Sequence, residues 1–132
     1  MKETVKTQNA PQPLGPYSQA VKVGNFLFVS GQGPINPKTG KIDETEISAQ
    51  ARQTLQNVKA IVEASGFSLQ DVVKVSIFLK NASDFQKMNE VYRRFFSENP
   101  PARTTVEGKL PAADMLVTVD AIAYGQVAQS HC

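Results

Sequence analysis

The sequence predicts an α+β fold: a mixed sheet with two helices packed on one of its faces. Two segments repeat apolar residues at the three- and four-residue steps of a helix, and several shorter segments alternate apolar and polar residues as a strand does. Along the 132 residues the order is strand, strand, helix, strand, helix, strand, strand, with room for one more strand near Thr4–Thr7.

After a lead-in containing Pro11, Pro13 and Pro16, Ala20–Val23 and Phe26–Ser30 read as short strands joined by Gly24-Asn25, a two-residue hairpin connection. Gly, Pro and Asn crowd Gly31–Lys41, which predicts a surface loop. From Ile47, the residues Ala51, Leu55, Val58, Ile61 and Val62 keep an apolar stripe through a helix over about Glu46–Ser65, and Gly66 is placed to end it as a left-handed cap. In "DVVKVSIFLK", Val73, Val75, Ile77 and Leu79 alternate with Lys74, Ser76 and Phe78 as a strand. Ser83 and Gln86 then have the spacing of a capping box. The second helix sets Phe85, Met88, Tyr92, Phe95 and Phe96 on one face and stops before Pro100-Pro101. Ala102–Glu107 and Met115–Tyr124 read as the last strands, and residues 126–132 as a frayed tail.

Two helices cover only one face of a sheet. The strands at Val72–Leu79 and Met115–Tyr124 carry apolar residues on both faces, so a second cover is needed, and self-association is expected to supply it.

Composition narrows the function. The chain fits one domain, and its net charge of +2 comes from 14 Lys/Arg spread along it, which argues against a nucleic-acid partner. A single cysteine, Cys132, makes no internal disulfide, so nothing calls for an oxidising compartment. The start "MKETVKTQNAPQPLG" has no apolar signal core, and no window approaches the roughly 18–20 apolar residues of a membrane span. A cytoplasmic protein is expected, and Asn81-Ala82-Ser83 is then a chance glycosylation match.

Histidine occurs once, as His131, which removes Ser-His-Asp and Cys-His nucleophilic systems and leaves no His/Cys metal cluster; no metal is expected. "GPINPKTGK" ends in Gly40-Lys41, but Ile35 and Ile42 stand where a phosphate loop needs Gly and Ser/Thr. "SGQGPIN" lacks the third glycine of a dinucleotide site, so no nucleotide cofactor is indicated. What is left suits small carboxylates. Arg103 starts a strand after "NPPA", Thr105 projects from the same side, and the arginine fits either a carboxylate fork or a surface ion pair. Asp120, mid-strand among apolar neighbours, fits either a structural ion pair or catalysis.

The segments "NAPQPLGPYSQAV", "FVSGQGPINPKTG", "QARQTLQNVKAIVEASG", "DVVKVSIFLKNASDFQKMNEVYRRFF", "PARTTVE" and "LPAADMLVTVDAIA" occur in that order. Together they closely resemble the Rid (YjgF) family of reactive-intermediate deaminases, its RidA branch in particular, over about residues 1–125. The resemblance implies a single domain over 1–125 with a chorismate-mutase-like α+β fold, assembled as a homotrimer with three active sites between subunits. It also implies a 2-iminobutanoate/2-iminopropanoate deaminase that needs no cofactor. Such an enzyme hydrolyses enamines and imines, such as 2-aminoacrylate and 2-iminopropionate, to 2-keto acids and ammonia. Its physiological link would be to the pyridoxal-phosphate enzymes that release these intermediates.

By the same resemblance, Arg103 holds the substrate carboxylate, Tyr17 lines the cleft, Ser30 and Gly31 border the pocket, and Asn89 reaches it from the second helix. Asp120 takes the place of a glutamate that positions the attacking water, Thr105 that of a cysteine, and Gly33 that of a branched apolar residue. Aspartate at 120 favours, as an alternative, a non-catalytic carboxylate-binding or regulatory trimer. A third reading is an endoribonuclease or translation inhibitor, weakened by the scattered charge.

Overall fold

A computed structural model of the chain describes residues 1–126. Of the expected tail only Gln126 falls within them; residues 127–132, with His131 and Cys132, lie outside the described residues. The elements are β1 (Glu3–Val5), β2 (Ala20–Val23), β3 (Phe26–Gln32), α1 (Ile47–Ala64), β4 (Val72–Leu79), α2 (Phe85–Phe95), β5 (Ala102–Glu107) and β6 (Val117–Tyr124). They build the expected mixed α+β arrangement, one six-stranded sheet in the order β1-β2-β3-β6-β4-β5. Neighbouring strands are antiparallel except β4 and β5, which run parallel and are joined by the α2 crossover.

Local chemistry explains most of the boundaries. The β2–β3 hairpin turns at Gly24, whose φ of 57° is open to glycine at no steric cost. Helix α1 ends at Gly66, φ 89°, as its left-handed cap. Between them, Leu27 and Val29 of β3, Val75, Ile77 and Leu79 of β4, and Val117, Val119 and Ala121 of β6 form the floor on which α1 lays Ala51, Leu55, Val58, Ile61 and Val62. Burying each of the larger side chains stabilises the fold by roughly 1.5–3 kcal/mol.

The structure departs from the sequence reading in six places, the first being that Val72 of β4 is buried and Val73 exposed, because the register shifts between Val72 and Lys74. β1 lies at Glu3–Val5 instead of Thr4–Thr7, because the Thr7 N–H is drawn to the Gln19 carboxamide at 2.7 Å. β3 continues through Ser30 and Gly31 to Gln32, where a loop was expected from Gly31. β6 begins at Val117, leaving Met115 buried in the turn before it. The Ser83–Gln86 capping box does not form; a short 3-10 turn, Ala82–Asp84, precedes α2 instead, and its Ala82 N–H donates to the Glu107 carboxylate at 2.9 Å. The buried face of α2 is Met88, Val91 and Tyr92, with Phe85 exposed.

Pleating sends alternate residues to opposite sides of the sheet. Val75 and Ile77 face the helices, whereas Phe26, Phe28, Phe78, Val106 and Tyr124 lie on the other side, where nothing among the described residues covers them. Phe26 packs against Tyr124 with ring centroids 4.8 Å apart, and against Phe28 at 6.0 Å.

Candidate active site

Arg103 enters β5 opposite Val75, so it shares the helix side of the sheet and lies beneath α2. Its guanidinium carbon sits 4.7 Å from the centre of the Tyr92 ring and 5.6 Å from that of Phe85, a cation held between aromatic faces. Arg103, Asn89 and Tyr92 line one open cavity of about 440 Å³ together with Arg93, Phe96, Ser97, Pro100 and Pro101. Asn89 Oδ1 is buried beside it without a hydrogen-bond partner, and the Tyr92 hydroxyl is buried against Arg103 without a well-aligned hydrogen bond. Burial pushes the Tyr92 phenol above its usual range, opposed by the charge of Arg103 and then by hydrogen bonding to its side chain. Thr105 projects on the same side of β5 as Arg103; its hydroxyl too is buried without a partner, but it does not line the cavity.

Asp120 lies on the other side. It stands opposite Ser76 of β4, on the open face, where the neighbouring Lys74 ammonium donates to the Thr104 hydroxyl at 2.7 Å. On its other flank, Val29 pairs with Ala121 and Gln32 with Val119, so Ser30 and Gly31 together oppose the single residue Asp120. This bulge is pinned: the Ser30 N–H donates to the Gln19 carbonyl at 2.9 Å, and its hydroxyl to the Ser18 carbonyl at 2.6 Å. Burial raises the Asp120 carboxyl above its ordinary value, opposed by the facing Ser76 side chain and then by Lys74. Gly31 and Tyr17 also line a second cavity, of about 300 Å³, with Thr118 on Asp120's side of β6.

The seven residues singled out from the sequence thus fall into two groups. Arg103, Asn89 and Thr105 gather under α2, whereas Tyr17, Ser30, Gly31 and Asp120 gather at the β3–β6 bulge. Within one chain a sheet separates the arginine from the aspartate. Among the described residues no group of three or more His, Cys, Asp or Glu side chains comes together to hold a metal ion.

Three residues that sequence reasoning missed set the walls of the second cavity. The buried Gln19 carboxamide accepts from Thr7 N–H at 2.7 Å and donates to the Pro11 carbonyl at 2.9 Å, folding the Pro-rich lead-in over Tyr17. Gln50 of α1 donates to the Asp114 carbonyl at 2.9 Å and accepts from Leu116 N–H at 2.8 Å, fixing Met115 between them. Asn57, two turns along, donates to the carbonyls of Gly33 at 3.0 Å and Ile35 at 2.9 Å. Gln50 and Asn57, seven apart with the buried Thr54 between them, are polar residues on a largely apolar stripe, which was the available signal.

A protein-family model described as Endoribonuclease L-PSP matches residues 7–125. A RutC family protein of Pyrococcus horikoshii is 56% identical over 94% of this chain and 98% of its own. The 2-iminobutanoate/2-iminopropanoate deaminase of Escherichia coli is 46% identical over 93% of this chain and 98% of its own. The solved structure of TdcF from Escherichia coli, with bound serine, superposes with a TM-score of 0.89 at 41% identity, covering 94% of this chain and 99% of that one. Matched over nearly its whole length by the family model and by these relatives, the chain belongs to the Endoribonuclease L-PSP family, the Rid (YjgF) family that its ordered motifs resemble.

Proposed function

We propose that the chain, a single domain over residues 1–125, is a cofactor-independent imine deaminase of the cytoplasm. It works as a homotrimer whose sites join the α2 cavity of one subunit to the β3–β6 bulge of the next. The observation that carries this reading is the separation of Arg103 and Asp120 by the sheet, because two half-sites on opposite faces become one site only when a second copy contributes. The uncovered aromatic face around Phe26, Phe28 and Tyr124 supplies the surface for that contact, and the 46% identity to a named deaminase supports the chemistry.

Arg103, already oriented by the rings of Tyr92 and Phe85, forks onto the substrate carboxylate. Asp120, with the strand around Thr105, positions water against the imine carbon. Its raised carboxyl suits it to take a proton from that water and return it to nitrogen. An enamine first becomes the imine as a proton shifts from nitrogen to carbon. The new C–O bond then forms as the water's proton reaches the imine nitrogen. A second proton passes from the new hydroxyl to nitrogen as the C–N bond breaks, leaving the C=O of the 2-keto acid and free ammonia. Because water attacks such imines unaided, fixed geometry is the main contribution. The natural substrates are the enamines and imines released by pyridoxal-phosphate enzymes acting on serine or threonine.

The test couples a serine or threonine dehydratase to the protein and follows keto-acid release. The wild type should accelerate release, and Arg103→Ala should lose about 100-fold or more in kcat/KM, the loss expected when one partner of a desolvated ion pair is removed. Keto-acid binding without acceleration would instead favour the regulatory trimer, to which the shorter acid at 120 points.

A further inference from the structure

Two arginines line the cavity under α2. Arg103 lies half-buried in it and Arg93 is exposed, and within one subunit no Asp or Glu among the described residues lines it. Among the described residues the one ion pair within 4.0 Å is Lys22 with Glu3, so neither arginine has a carboxylate partner. Like charges around one concave space raise its potential, and an anion is what offsets it. The Tyr92 hydroxyl, on a residue only 6% exposed and set against Arg103, keeps an O–H that can donate to an anion, whereas the buried Asn89 Oδ1 is an acceptor and contributes nothing to one.

A single substrate carboxylate occupies the fork of Arg103, and with the acid of the neighbouring subunit given to the water, Arg93 is left without an anion. We propose that the site selects 2-imino acids bearing a second carboxylate, with Arg93 as the residue that recognises it. The inference rests on the role given to Arg103 above. Its competitor is structural: Arg93 stands in the last turn of α2, where any cation suits the helix dipole. Arg94 stands in that same turn but lines a different groove, with Arg52 and Lys59, and so supplies the control.

The experiment is calorimetric titration of the protein at low salt with 2-oxoglutarate and 2-oxopentanoate. These product-like keto acids have equal chain length and differ only in a terminal carboxylate or methyl. A preference for 2-oxoglutarate of about threefold or more is expected, the scale of a partly exposed ion pair. It should fall to about one in Arg93→Gln and persist in Arg94→Gln. A smaller preference in the wild type, including no binding of either acid, overturns the inference; so does a preference that Arg93→Gln keeps, or that Arg94→Gln removes as well. Arg103→Ala separates the two levels. Undiminished binding of both acids by that variant overturns the role given to Arg103 itself, whereas weakened binding there with no preference in the wild type overturns the second-carboxylate inference alone.

Discussion

Asp120 is the residue at which stability and chemistry oppose each other. In an unfolded chain its carboxyl ionises at the ordinary value of 3.8, whereas in the fold burial holds the proton to higher pH. Between those two values the folded state binds more protons than the unfolded one, so stability falls as pH rises through the window and stays at the lower level above it. Asp120→Asn should abolish that fall and melt higher than the wild type at neutral pH, while losing deaminase turnover. Thermal melts from about pH 3.5 to 7 check this, and identical curves for both proteins would mean that Asp120 ionises as it does in water. The sequence displayed Asp120 plainly, as a carboxylate between the apolar neighbours Val119 and Ala121 of β6. It hid the use of Tyr92, which sits in an aromatic stripe that reads only as core, and the reason for Gly33. A Cβ at Gly33 would lie 2.7 Å from the Met115 methyl, so the methionine already fills the space that a branched residue at 33 would need.

Among the elements, α1 was legible almost to its ends, because six apolar residues and Gly66 are enough to place a helix and stop it. Its second task was not legible. Asn57 serves carbonyls 22 and 24 residues away in sequence, and Gln50 a segment 64 to 66 residues away, partners that no local pattern predicts. Asn57→Leu leaves the Gly33 and Ile35 carbonyls without their donor and should destabilise the fold by about 2–3 kcal/mol in urea unfolding, with little loss in a distant control such as Gln86→Ala. The failure of the Ser83–Gln86 capping box has the same origin: Glu107, 25 residues from Ala82, supplies the anion from another strand. The extension of β3 was hidden likewise, since Ser30 and Gly31 break a period of two, and a bulge becomes recognisable only once β6 lies alongside.

At the scale of the whole molecule, the two-helix count and the two-faced strands sufficed to foresee an uncovered sheet, and Phe26, Phe28 and Tyr124 are 42%, 44% and 49% exposed on it. Phe28→Asp puts a charge into that patch and should break the proposed assembly, lowering the mass by light scattering from three chains to one and removing activity with it. An unchanged mass would move the contact to another surface. The sheet that divides Arg103 from Asp120 has a genetic consequence as well. If every site borrows its arginine from one subunit and its acid from a neighbour, Arg103→Ala and Asp120→Asn chains are each inactive alone. Unfolded together and reassembled, or expressed in one cell, they should regain part of the wild-type rate, because some interfaces then pair an intact arginine with an intact aspartate. Two defective alleles would complement each other.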